Sequence, residues 1–258
     1  MHDLIRHPAI LFVVLLLFMA GATSLGAFVL RRTWPIPKEN RDDFNIVQGA
    51  TLTLLALLIG FTLSMAVGRY DQRKNLEEEE ANAIGTEYLR AELLAADAPV
   101  IKKLLGQYLQ QRILYYQTRD RDKVRELEDR TARIAGEMWR VVRDAAGAAP
   151  NPLSALVVTG MNDVINSQGY TEAAWLNRIP ISAWGLMIII AFFSSLLQGY
   201  GIRAEGTKLF LLLIVPLTVS LSLSLISDID SPRGGLIRVV PQNLIGLQQS
   251  LEAQFSRP

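Results

Sequence analysis

The chain carries little conventional catalytic material. It has no cysteine, and its two histidines, His2 and His7, both lie in the first seven residues. Thiolate metal sites, disulfides and cysteine nucleophiles are therefore excluded. A histidine triad or multi-histidine metal centre inside the protein has no support either. The acids offer more. Glu77–Glu80 is a run of four carboxylates that invites a cation site or a proton relay. Consecutive helical residues point in different directions, however, so the run reads as a solvated helix face. Asp228 and Asp230 sit beside the turn Ser231-Pro232-Arg233-Gly234-Gly235. Two carboxylates fall short of a calcium shell. The favoured role for Asp228, Asp230, Pro232 and Gly234 is a structural tail motif, with the acids capping amides or pairing with arginine. No phosphate-binding loop or zinc-protease signature is present. Nothing assembles a nucleophile, base and orienter, so no enzyme activity, cofactor or metal is expected.

The elements that must position these residues are set by four charge-free stretches. Pro8–Leu30, Phe44–Gly68, Ile179–Ile202 and Leu209–Ser227 are 23, 25, 24 and 19 residues long and contain no Asp, Glu, Lys or Arg. A bilayer core takes roughly 20 helical residues to cross. Between the second and third lie the 110 residues 69–178, which hold 33 of the 51 charged side chains. The expected fold is an all-α membrane protein. Its four transmembrane helices stand two and two, around a large helical extramembrane domain. Four regions follow: a hairpin over 1–68, a charged helical domain over 69–178, a second hairpin over 179–227 and a polar tail over 228–258.

The first apolar stretch exceeds the roughly 7–15-residue core of a signal peptide, and its small residues Ala20-Gly21-Ala22 lie within it. It reads as an uncleaved membrane helix, with signal cleavage as the alternative. Trp34-Pro35-Ile36-Pro37 then forms a stiff interfacial loop. No proline follows until Pro99, so span 2 is expected to leave the membrane as one helix from Ile46 to Ala95, with Gly85 its weakest point.

In the insert, Asp97 and Pro99 open a helix whose stripe is Ile101, Leu104, Leu105, Tyr108, Leu109, Arg112 and Tyr115/Tyr116. Arg119–Lys123 is the next turn. Val124, Leu127, Ile134, Met138 and Val141 mark another helix. Asn151 and Pro152 start a last one, expected to reach about Ser167.

Span 2 carries two faces. Gly49, Thr53, Ala56, Gly60 and Ser64 follow helical spacing and form a small-residue stripe suited to close helix packing. Leu54, Leu57, Leu58, Phe61 and Met65 form a bulky surface. Such residues usually face lipid or another helix, but in a ring of subunits they can form a constriction that gates by dewetting. In span 4, Pro216, Ser220, Ser224 and Ser227 share a face. Their hydroxyls can satisfy carbonyls freed by the proline or bond across a helix interface.

Lys and Arg near the span ends number seven on the insert side (Arg6, Arg69, Arg73, Lys74, Arg178, Arg233 and Arg238). Six lie on the other (Arg31, Arg32, Lys38, Arg41, Arg203 and Lys208). That balance sets no orientation. A net charge of +1 gives no reason to expect nucleic acid.

Three segments carry a family resemblance. Leu63-Ser64 with Arg69-Tyr70-Asp71-Gln72-Arg73 resembles the corresponding part of bestrophins. The stretch from Leu76 to Arg90 and the tail from Asp228 to Val239 are similar to a bacterial bestrophin-like family of unknown function. Bestrophins are pentameric anion channels whose second span lines a hydrophobic neck and whose insert is cytoplasmic. The resemblance implies a homo-oligomer, a pentamer, in the inner (plasma) membrane, with lipid and inorganic anions as partners. It implies Leu57, Phe61 and Met65 as the neck and Arg69 and Arg73 as an anion-attracting mouth. The long acidic calcium-binding tail of the eukaryotic proteins is missing, so calcium gating is not implied. The alternative is a nonconducting scaffold or sensor that binds a partner through the helical domain. An energy-coupling stator fits less well, because no acid lies inside any span.

Overall fold

A computed structural model describes residues 8–202 and 209–255. His2, Arg6, His7, Arg203 and Lys208 lie outside the described residues, so what was expected of them is not addressed by the structure. Within those residues the secondary structure is helical throughout, and no strand occurs. The elements are α1 (Pro8–Ser24), a π-helical turn (Leu25–Leu30), α2 (Arg31–Thr33), α3 (Arg41–Arg90), a 3-10 turn (Ala91–Leu94), α4 (Ala98–Gln117), α5 (Arg121–Ala148), α6 (Pro152–Leu176), α7 (Ile181–Tyr200), α8 (Leu209–Asp230) and α9 (Gln242–Phe255). Among the described residues, four helical segments are long and apolar enough to cross a membrane.

The chain forms two compact units, Met1–Arg69 with Arg178–Arg238, and Tyr70–Asn177 with Val239–Pro258. The polar tail over 228–258 divides between the two. Its first part belongs to the membrane-type unit and α9 belongs to the helical unit, because Val239 and Leu244 are buried in that unit's core.

In the membrane-type unit, α1 packs on α7 and α8. The closest approach is made by two glycines that face opposite helices. A Cβ added to Gly26 would collide with the Leu196 carbonyl oxygen, and one on Gly199 with the Thr23 carbonyl oxygen. Small residues let backbones approach this closely, and the π-helical turn that follows α1 falls at the same crossing. The serine face of α8 is buried. Ser224 Oγ donates to the Pro8 carbonyl oxygen at 2.7 Å, so this hydroxyl works across a helix interface.

The helical unit has a conventional core. Every residue of the expected α4 stripe is buried, as are Val124, Leu127 and Met138 of α5. Asp120 accepts amide bonds from Asp122 and Lys123 at the start of α5, and Asn151 with Ser154 forms a capping box on α6. Helix α6 runs nine residues beyond the expected end, from Ser167 to Leu176. Its inward positions Thr171, Ala174 and Trp175 continue the buried face, no proline breaks it, and Gly169 lies within the helix without ending it.

Candidate functional site

α3 is 50 residues of unbroken helix, about 75 Å long, and most candidate residues lie on it. No proline lies within it, and Gly85 does not interrupt it. Along Phe44–Gly68 the fully buried positions are Leu55, Thr62 and Ala66. Leu57, Phe61 and Met65 occupy a different face and remain 52 %, 62 % and 46 % exposed in the protomer. Their i, i+4 spacing stacks them along the axis, so they form one continuous apolar ridge.

The small residues Gly49, Thr53, Ala56, Gly60 and Ser64 are also exposed. A Cβ added to Gly49 or Gly60 meets nothing within 4 Å, and Thr53 Oγ1 donates only to its own helix, at the Gly49 carbonyl. Within one protomer this stripe packs no helix. Close backbone approach within the protomer is made by Gly26 and Gly199.

Beyond Gly68 the character of α3 reverses. Arg69 Nη1 donates to Asp230 Oδ1 at 3.3 Å, and the Ile179 amide donates to Asp230 Oδ2 at 3.1 Å. The Leu236 and Ile237 amides donate to Asp228 at 2.7 and 2.9 Å. Asp228 thus holds backbone, and Asp230 holds backbone and arginine. A Cβ on Gly235 would lie 2.6 Å from the Asp228 carbonyl oxygen, so Gly235 is the glycine this turn requires. Gly234 is exposed and Pro232 buried.

Arg73 is 1 % exposed, and its guanidinium donates to the Ala174 and Asn177 carbonyls at 3.1 and 3.0 Å. A charge enclosed in this way is not presented to a passing anion in the protomer. Within the protomer these bonds anchor the end of α6.

The Glu77–Glu80 run departs most from expectation. Glu78 and Glu79 are exposed, whereas Glu77 and Glu80 are buried. They are three residues apart and therefore share a face. Glu77 Oε1 accepts from the Asn243 and Leu244 amides, both at 3.0 Å, which caps the start of α9. Glu80 pairs with Arg112, and both are 0 % exposed. Tyr116 and Thr171 each donate to Glu80 Oε2 at 3.2 Å. Arg112 also reaches Glu172 at 3.3 Å, and its guanidinium lies 4.5 Å from the centre of the Tyr115 ring.

Burial acts to lower the pKa of Arg112, but the charge and hydrogen bond of Glu80 outweigh it and raise it overall. Burial first, then the Glu80 charge, pushes the Tyr108 and Tyr116 hydroxyls up. One signal for this network was present in the sequence. Arg112 lies within the apolar stripe of α4, and an arginine facing a core requires a buried acid.

An apolar ridge on a long second membrane-type helix, and a capped tail turn after the fourth, are the features to set beside known proteins. The bestrophin-like domain model matches residues 17–244. The chain belongs to the bestrophin-like family. Solved structures share the fold at low identity. A mutant of a crystallised membrane protein aligns with a TM-score of 0.68 at 15 % identity, over 96 % of this chain and 97 % of that one. A point mutant of a bacterial bestrophin homologue from Klebsiella pneumoniae aligns with a TM-score of 0.65 at 13 % identity, over 97 % and 99 %. Another structure of a bacterial bestrophin homologue from that organism, phased on zinc, aligns at 0.62 and 15 %, over 93 % and 97 %. No curated protein matches the sequence. As a bestrophin-like chain with four helical segments long and apolar enough to cross a bilayer, it is a multi-pass membrane protein.

Proposed function

We propose that this bestrophin-like protein assembles into a homo-oligomer, a pentamer, in which the Phe44–Gly68 part of α3 encloses a passive anion pore. The observation that carries this reading is the exposed ridge Leu57, Phe61 and Met65, on a helix whose Leu55, Thr62 and Ala66 are already buried in the protomer. Turned toward a common axis, such ridges form a narrow apolar neck that controls permeation by dewetting. The exposed stripe Gly49, Thr53, Ala56, Gly60 and Ser64 then serves the contact between subunits. Arg69 is part-exposed and tied to Asp230, and together with Arg73 it supplies positive charge at the pore mouth. The membrane helices follow a two-and-two order in the inner membrane, with the helical unit and both termini in the cytoplasm.

Purified protein in liposomes releases chloride, and Phe61→Ala widens the neck and raises the flux. An inserted oligomer that passes no anion at any pH or voltage defeats the channel reading. The native chain lacks cysteine, so single cysteines at Thr33 and Gln117 report orientation cleanly. Labelling of Gln117→Cys from outside intact cells would overturn the cytoplasmic assignment.

A nonconducting scaffold is the second reading, favoured by an open groove of about 780 Å³ in the helical unit beside Tyr88, Pro99, Lys103, Leu109 and Leu251. Crosslinking distinguishes it. A single partner recovered reproducibly, and lost with substitutions in the groove, supports the scaffold.

A further inference from the structure

Glu87 differs from the other buried acids of α3. It is 0 % exposed, yet neither carboxylate oxygen has a hydrogen-bond partner. It lies 19 residues past Gly68, about 28 Å along the helix and outside the charge-free stretch. The carboxylate fits against Gly160 of α6 so closely that a Cβ there would collide with Oε2. The same Cβ would lie 2.6 Å from Arg90 Nη1, so Arg90 flanks the carboxyl without forming an ion pair. Asp163, one turn further along α6, acts on Glu87 with the opposite sign. Glu92, in the following 3-10 turn, is engaged by Lys102 of α4 at 2.6 Å. An ionised carboxylate buried there without a hydrogen bond is costly, whereas the neutral acid is tolerated.

We propose that Glu87 is a proton-operated latch of the helical unit: as the neutral acid it lies against Gly160 and holds α3 to α6, and once ionised it swings to Arg90 and loosens that contact. The proton passes to water, and no other group need change. Burial is the main cause that raises the Glu87 pKa to about 8, with Arg90 opposing and Asp163 reinforcing. The latch is therefore closed at neutral pH and opens in mild alkali.

The test uses the full-length protein in lipid nanodiscs from about pH 6 to about pH 10. Difference infrared spectra between wild type and Glu87→Gln show a carboxylic-acid carbonyl band that titrates away near pH 8. Hydrogen exchange reads the contact itself. Protection of the α6 amides around Gly160 falls relative to Glu87→Gln by roughly tenfold per pH unit as the pH rises toward that midpoint, and levels off above it. Asp163→Asn moves the midpoint down and Arg90→Gln moves it up. The latch is overturned by the absence of the protonated band near neutral pH, or by a protection ratio that stays constant across the range. If Glu87→Gln does not fold, a midpoint unmoved in both charge variants overturns it equally.

Discussion

The two halves of α3 invert the usual rule in opposite directions. Along Phe44–Gly68 the large apolar residues Leu54, Leu57, Phe61 and Met65 stay exposed while Thr62 is buried. Along Tyr70–Arg90 the acids Glu77, Glu80 and Glu87 and the base Arg73 are buried. The first half leaves apolar surface for lipid or for other subunits, where exposure carries no penalty of the kind water imposes. The second half packs in a soluble-type core. There a buried charge persists only when paired, hydrogen-bonded or neutralised. Glu80 is paired, Glu77 caps amides, and Glu87 has neither kind of partner. One helix thus shows that polarity along a sequence does not report burial until the surroundings are known.

The largest effect that sharpens this contrast is expected at Arg112. Arg112→Ala leaves Glu80 buried without its cation and lowers the stability of the helical unit by about 3–5 kcal/mol. Thermal unfolding in detergent measures it. Adding Glu80→Gln recovers part of the loss, because a neutral amide no longer demands a counter-charge. A small effect for Arg112→Ala alone would mean that the pair is solvated in the native protein.

Two glycine substitutions are expected to differ in sign. Gly199→Ala pushes a methyl group into the Thr23 backbone, which cannot yield as a side chain can, and costs roughly 1–3 kcal/mol. Gly49→Ala meets open space and gains helix propensity, up to about 1 kcal/mol in the dissociated protomer. If Gly49→Ala also weakens assembly, seen as a shift toward monomer by light scattering, the small-residue stripe is a subunit contact. If assembly is unaffected, the stripe faces lipid.

A more local effect is expected at Glu77. Glu77→Ala removes the acceptor for the Asn243 and Leu244 amides at the positive end of α9, worth about 0.5–2 kcal/mol. Limited proteolysis should then cut α9 faster without altering the rest of the chain. An unchanged rate would show that the apolar contacts of Leu244 alone hold the helix.

Much of the fold was legible because its signals are local. Charge-free runs long enough for a bilayer, the proline-free course of α3, the α4 stripe and the Asn151–Pro152 start all depend on neighbours in sequence. The candidate site was legible only in part. Helical spacing placed Leu57, Phe61 and Met65 on one ridge. It could not separate Glu77 and Glu80 from Glu78 and Glu79, since all four belong to one helix. Their fates depend on Arg112, Thr171 and Asn243, 32, 91 and 166 residues away.

The sequence by itself determined that four stretches can enter a bilayer and that a charged helical domain interrupts them. Hydrophobic length and helix periodicity are properties of a segment alone. Tertiary structure decided which charges are enclosed, which glycines permit contact and which face of α3 is left open. Burial, pairing and close approach depend on residues far apart in the chain, and they exist only once the helices have packed.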